Sequence, residues 1–511
     1  MEIPKLLTYL LLIVSNLALT QVEWGYATNG AFSDLGKAVF TDADENVFFL
    51  GNASSAFDLD PGPEELITAG NSYLQKLSPE GELIWGFAID WWASDMAMDN
   101  AGNIYLTGFS AILGQSYDVF VEKYDPLGNF IWQKSFGGLA VDRANALVID
   151  NSNNILITGE FKESVDFDPG PEEHWRTSNG TQDVYLLKLD TSGKYLSVQT
   201  MGGFGSTYSR DLISDIDNNI YILGVYQDSM NFYGEPVDFT LTDNGKNSNL
   251  FVVKYDSLLN YQWSKKLGET SSFRRKQFTV DENQSIYTSY FDSGDTKLVK
   301  LDSAGTETVL TSFSSQPDSY DISEPLVTYD NSTYLYLVDD LGSKTRVSKY
   351  DLNGILLNYK IIEGTRKIIS NQICVGQDET VYLSGSFYGE INAPNLNGEN
   401  AIIADHSFED DMGNSTADAF QLKLDLSGTI DYPKADQLIL WPNPTSTVIN
   451  IDADPAKSGA VKVYDASGRI VLEDNMYNQF FSLNVNGLSQ GAYVIHFEYD
   501  GETVMRQFIK I

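Results

Sequence analysis

Cysteine and histidine are nearly missing from this chain. There is one cysteine, Cys374, and there are three histidines, His174, His406 and His496, in 511 residues. A single thiol closes no intramolecular disulfide and builds no cysteine-based zinc site. The histidines lie far apart and follow no HExxH-type spacing, so no catalytic residue is assigned. Positive charge is scarce too: Lys plus Arg number 33 against 71 Asp plus Glu, a formal net charge of −38. A polyanion of this size is repelled by nucleic acid and by anionic membrane surfaces, which excludes nucleic acid as a partner. Apart from Leu6–Leu19 there is no long apolar run. That run is about 14 residues, short of the roughly 20 that cross a bilayer.

With Lys5 before it and Ala18-Leu19-Thr20 after it, the run reads as a signal peptide over residues 1–20. The mature chain then carries no transmembrane helix. Asn16 and Thr20 make the cleavage site imperfect, which leaves an uncleaved anchor as the alternative. What the chain has in plenty is apolar and aromatic side chains, 42% and 13% of residues, with 29 Tyr and 27 Phe. That supply buries a core and excludes disorder, and with no long amphipathic helical pattern the expectation is an all-β protein.

A short phrase recurs seven times: an apolar or polar residue, Lys, Tyr or Leu, then Asp or Ser before a turn. Its lysines are Lys76, Lys123, Lys188, Lys254, Lys300, Lys349 and Lys423. Turn glycines follow at Gly81, Gly128, Gly193, Gly305, Gly354 and Gly428, with Asn260 read in their place in the remaining copy. Glycine there signals a hairpin, because it takes positive φ without a Cβ penalty. Upstream of each phrase runs an alternating strand, as in Asn103-Ile104-Tyr105-Leu106-Thr107-Gly108, and further short strands flank the pair. Four antiparallel strands repeated seven times predict a seven-bladed β-propeller over residues 21–430. Val22–Tyr26 resembles a fourth strand with no partners before it, so it is expected to complete the seventh blade. The alternative is a local strand over Thr429–Tyr432. This part of the chain resembles the seven-bladed repeat families of secreted bacterial proteins, a likeness of fold that assigns no activity.

Residues 431–437 form a polar linker containing Pro433, and a new composition starts at Leu438. About 70 residues of short strands with turns at Ser467-Gly468 and Gly491 predict a small C-terminal β-sandwich over residues 438–511. Trp441-Pro442-Asn443-Pro444, Tyr464-Asp465, Gly468-Arg469, Gly491 with Tyr493, and the final Phe508-Ile509-Lys510-Ile511 resemble the C-terminal sorting domain (type A) of the type IX secretion system. Trp441 stands where that family more often has tyrosine. The resemblance implies Sec export, the type IX machinery as partner, and a protein secreted or held at the outer face of the outer membrane.

Two loops are near copies: Phe57-Asp58-Leu59-Asp60-Pro61-Gly62-Pro63 and Val165-Asp166-Phe167-Asp168-Pro169-Gly170-Pro171. Asp58, Asp60, Asp166 and Asp168 offer hard oxygens in a preset turn, which suits calcium as a cofactor. The spacing is not that of an EF-hand, and a rigid solvated connection between blade strands is the plainer reading. Asp118, Asp183 and Asp418, with Asn71 and Asn249, precede third strands and read as turn caps. Trp85, Trp132 and Trp263 share one repeat position and read as inter-blade packing. Trp91-Trp92 is off-pattern, either a stacking platform for a glycan or core packing. The functional expectation is a monomeric, non-catalytic binding or display module for an unidentified extracellular glycan or protein. The competitors are a polysaccharide hydrolase or lyase using the repeated aspartates, and a spacer with no ligand.

Overall fold

The computed structural model describes residues 22–27, 34–53, 56–62, 66–111, 116–232, 240–242, 248–270, 277–292, 295–314, 325–330, 333–340, 342–376, 379–388, 390–392, 402–403, 417–426, 439–441, 448–452, 459–465, 469–476, 480–499 and 502–510. Within them every regular element is a strand. Blade 1 pairs Leu35–Thr41, Val47–Asn52, Ser72–Leu77 and Leu83–Ile89 in that order. Blade 2 is Trp92–Met98, Ile104–Ala111, Tyr117–Tyr124 and Phe130–Gly138. Blade 3 is Arg143–Ile149, Ile155–Phe161, Asp183–Leu189 and Tyr195–Gly202. Blade 4 is Thr207–Ser214, Ile220–Tyr226, Ser248–Tyr255 and Tyr261–Thr270. Blade 5 is Thr279–Val280, Ile286–Asp292, Asp295–Leu301 and Glu307–Ser314. Blade 6 is Leu326–Tyr329, Tyr334–Asp340, Lys344–Asp351 and Leu356–Gly364. Blade 7 joins Ile368–Val375, Thr380–Phe387 and Asp418–Asp425 to Val22–Ala27, which pairs antiparallel with Asp418–Asp425. The first strand of each blade touches the first strand of the next, and Leu35–Thr41 touches Ile368–Val375. This is the architecture of a β-propeller. The alternative strand over Thr429–Tyr432 lies outside the described residues.

The innermost strand of each blade has a free edge, and free N–H groups need partners. Five of these strands shift register, at Gly36/Ala38, Ala93/Asp95, Ala144/Ala146, Ser209/Asp211 and Ser370/Gln372. The residue after three of these bulges reaches an edge N–H of the next blade. Asp95 Oδ2 accepts from Leu147 N at 2.9 Å, Asp211 Oδ2 from Phe278 N at 3.2 Å, and Gln372 Oε1 from Val39 N at 2.8 Å. Two asparagines at the bulges, Asn145 and Asn371, donate to the carbonyls of Ser209 and Gly36, again one blade on. The bulges thus turn side chains of one blade into caps for its neighbour.

The recurrent tryptophan acts at the outer seam. In the third-to-fourth-strand turn, Gly128 and Gly305 sit at φ +81° and +80°. A Cβ on Gly128 would stand 3.1 Å from the Trp85 ring, and one on Gly305 would stand 3.0 Å from Trp263. Each tryptophan therefore covers the turn of the next blade, and Trp263 Nε1–H also donates to Ser303 O at 3.0 Å. The recurrent lysines cross the same seam. Lys76 and Lys188 pair with Asp42 and Asp150 of their own blades at 2.9 and 3.1 Å. Lys188 and Lys423 also donate to carbonyls of the next blade, Ser257 O at 2.9 Å and Pro79 O at 3.1 Å. In the copy lacking glycine the positive-φ residue is Leu259 (φ 63°), not Asn260. Leu259 is fully buried in the core shared by blades 3 and 4, and that burial offsets the backbone cost of about 1 kcal/mol.

The C-terminal region has its own core. A sheet of Ile439–Trp441, Val448–Asp452 and Phe480–Asn484 faces one ordered Ile470–Met476, Gly459–Tyr464, Gly491–Tyr499 and Glu502–Lys510. Ile449, Ile451 and Leu483 from the first pack with Val461, Val463, Tyr493, Ile495 and Phe497 from the second. Tyr493 OH donates to Ser489 O at 2.8 Å, and Lys510 is buried. Pro442, Asn443, Pro444 and Gly468 lie outside the described residues. Among the described residues, no helix is long and apolar enough to cross a membrane.

Burial acts on one carboxyl of the seventh blade. Asp418 is the first residue of its third strand, and burial, with Asp34 nearby, pushes its pKa up to about 7. In the unfolded chain an aspartate titrates near 3.9. Stability from the protonated form is therefore complete below about pH 4 and lost as pH rises toward 7, because the native state binds the extra proton. Asp418→Asn should melt higher than the parent by about 2 °C at pH 8, after discounting for solvent around the carboxyl, and no higher at pH 4. Calorimetric scans at both pH values check this, and an equal shift at both would refute it.

Candidate functional site

The near-copy loops are hairpins, and the one in blade 3 clasps the preceding blade. Ser164–Asp166 and Trp175–Thr177 leave blade 3 between its second and third strands and pair with the outer strand of blade 2, Gly138 opposite Val165 and Gly137 opposite Asp166. Ser229–Phe232 with Thr240–Thr242 does the same from blade 4 to blade 3, and Glu390–Asn392 with Ile402–Ile403 from blade 7 to blade 6. Phe57–Asp58 and Ile67–Thr68 form the corresponding hairpin of blade 1.

Alternation within Asp-x-Asp explains its composition. The middle residues, Leu59 and Phe167, are fully buried, which turns the flanking aspartates outward. Phe167 packs on Tyr185, Phe161 and Phe136 with ring centroids 5.1 to 5.6 Å apart. Each aspartate then locks the turn. Asp58 Oδ1 accepts from Asp60 N and Leu66 N at 3.0 and 2.9 Å, and Asp60 Oδ1 from Gly62 N at 2.7 Å. Asp166 Oδ1 accepts from Asp168 N and His174 N at 3.2 and 2.8 Å, and Asp168 Oδ1 from Gly170 N at 2.7 Å. The four predicted calcium ligands thus sit on two separate hairpins, each with one oxygen committed to the backbone.

The two hairpins differ at one chemically important position. Leu66 in the first is matched by His174 in the second, since both backbone N–H groups donate to the equivalent aspartate. The His174 ring lies flat on Tyr195 of blade 3, centroids 3.9 Å apart and planes 14° apart. Trp175 beside it is 52% exposed, and its Nε1–H donates to Glu173 Oε2 at 3.1 Å. By contrast Trp91 is 4% exposed and packs on Phe120, which makes it core rather than platform. Trp175 is an exposed aromatic that sequence reasoning missed, as are Phe204 and Phe130. The sole signal for Trp175 is that it falls outside the repeat position of the packing tryptophans.

Two buried carboxyls belong to blade 3, Asp142 just before its first strand and Glu160 in its second. Burial pushes Asp142 up to about 7 against the N–H groups of Lys162 and Gly138, with Asp118 adding to the rise. Burial likewise pushes Glu160 up to about 7, opposed by Arg210 and by hydrogen bonds from Asn145 Nδ2 and Ser209 N. Both carboxyls accept backbone N–H groups: Glu160 Oε1 takes Ser209 N at 3.0 Å, and Asp142 Oδ2 takes Gly138 N at 2.8 Å. Their geometry ties neighbouring segments of backbone together.

Comparison with known proteins bears mainly on the C-terminal region. Residues 439–511 match the family described as "Secretion system C-terminal sorting domain". The protein is therefore one that is sorted for secretion or the cell surface, with a β-propeller as its main body. A WD repeat-containing protein, L264, of Acanthamoeba polyphaga mimivirus is 22% identical over 199 residues, 35% of this chain and 14% of that one. The regulatory protein FlaEY of Caulobacter vibrioides is 26% identical over 217 residues, 37% of this chain and 21% of its own. The chain thus matches only a small part of either relative. PorZ, a type IX secretion surface component of Porphyromonas gingivalis, aligns with TM-score 0.31 and 10% identity over 92% of this chain and 69% of its own. Prolyl oligopeptidase B of Galerina marginata aligns with TM-score 0.40 and 10% identity over 83% and 56%.

Proposed function

We propose that this is a type IX-exported propeller that works at the cell surface or outside it by binding, not by chemistry. The observation that carries this reading is the state of the repeated aspartates. Asp58, Asp60, Asp166 and Asp168 each spend an oxygen on backbone N–H groups within 3.2 Å. A glycosidase needs two carboxyls free to exchange protons with substrate across one cleft. The hairpin of blade 3 instead presents an off-repeat aromatic, Trp175, to solvent. Exposed tryptophan stacks on sugar rings and also anchors protein partners.

A glycan array and a polysaccharide panel test this together. The expected result is binding without release of reducing ends, weakened about tenfold or more in Trp175→Ala, the loss of one stacking anchor. Hydrolysis of any panel member would overturn the reading in favour of an enzyme. Silence on the array and in a surface-protein screen would leave a spacer.

A further inference from the structure

We propose that Asp168, Glu172 and His174 form a binding site for one divalent transition cation on the clasp of blade 3. One ligand atom from each lies within 4.8 Å of the other two. His174 Nε2 already stands 3.9 Å from Glu172 Oε2. Ligands at 2.0–2.2 Å from a shared ion stand roughly 3 to 3.5 Å apart, so little movement is needed. Glu172, whose side chain is 80% exposed, is free to make it.

Two of the three ligands are held in place. The His174 backbone is fixed by Asp166 Oδ1, and its ring is oriented flat against Tyr195. Asp168 is fixed through Gly170 N on Oδ1. Such restraint lowers the entropy lost when the ion binds.

The donor set selects the ion. One imidazole with two carboxylates suits zinc and its first-row neighbours, whereas calcium prefers six to eight oxygens and no nitrogen. The hairpin of blade 1 supplies an internal control. It shares the Asp-x-Asp-Pro-Gly-Pro-Glu-Glu frame but places Leu66 where His174 stands. The frame is therefore explained by turn locking, and the imidazole is what the second hairpin adds. This inference stands apart from the glycan reading, which rests on Trp175.

The test is calorimetric titration of the full mature chain with Zn²⁺ after chelator stripping, in physiological salt with excess Mg²⁺. One saturable site per chain is expected, with Kd of about 10 μM or tighter. His174→Leu, which copies the residue of the sister hairpin and so keeps its fold, should abolish the site. Glu172→Gln, at an exposed position, should weaken it at least tenfold. Saturable binding retained in His174→Leu would place the ion on the general acidic surface and overturn the proposal. So would the absence of a saturable site, or displacement of Zn²⁺ by equimolar Ca²⁺.

Discussion

Truncation after Asp431 is expected to leave a folded propeller that accumulates in the periplasm. The C-terminal core of Ile449, Ile451, Val461, Val463, Leu483, Val485, Tyr493, Ile495 and Phe497 contains no propeller residue. Removing it therefore opens no cavity among the blades, and their melting temperature should change by less than about 2 °C. Sec export, expected of the segment over residues 1–20, should continue. The outer-membrane step loses the domain matched over residues 439–511. Surface delivery should fall to background in cell fractionation, and fusion of Leu438–Ile511 to an unrelated exported protein should restore delivery for that cargo. Normal surface delivery of the truncated chain would reduce the C-terminal region to an accessory sandwich. A chain that misfolds on truncation would instead show that the two cores depend on each other.

The parts of this fold legible in the sequence are those where one residue type answers one local demand. Each Lys phrase lies in the third strand of its blade, where Lys76, Lys123, Lys188 and Lys300 reach an acidic turn of their own blade and Lys123, Lys188 and Lys423 reach a carbonyl of the next. The turn glycines were legible for the same reason: Gly128 and Gly305 need both positive φ and an absent Cβ beneath tryptophan. Leu259 was not, since its burial overrides the backbone preference that would have flagged it. The clasps were also hidden. Strands of two to four residues carry no period of their own, and their partners belong to another blade. Asp-x-Asp was visible as two carboxylates, but its meaning lay in the middle residue, whose burial only the tertiary structure decides. His174 carried no local motif at all. Its meeting with Asp168 and Glu172 follows from the hairpin that Pro169-Gly170-Pro171 turns.

Deletion of Gln21–Gly30 should lower the melting temperature by about 10 °C or more, the largest stability effect expected of any short change in this chain. Val22–Ala27 is the outer strand of blade 7, with Gly25 opposite Leu422 and Ala27 opposite Phe420. Its loss strips one edge of Asp418–Asp425, whose Phe420, Leu422 and Leu424 are fully buried. It also removes Trp24, which packs between Phe49 of blade 1 and Tyr382 of blade 7 at 6.4 and 6.3 Å and donates to Pro79 O at 3.2 Å. Trp24→Ala alone should cost about 3–5 kcal/mol, a smaller shift of the same sign. The ion pair of Glu23 with Lys423, at 2.8 Å, is half-exposed and adds at most about 1 kcal/mol. The strand joins segments from opposite ends of the propeller, so its pairing must overcome a large loop-closure entropy. It is expected to form late in folding, and its deletion to speed unfolding more than it slows refolding. An exposed strand edge is also a template for other chains, so the deleted protein should associate on warming. Unchanged melting would mean that Val22–Ala27 contributes little to the seventh blade, and the stability of the ring would then rest on its inner strands and their side-chain caps.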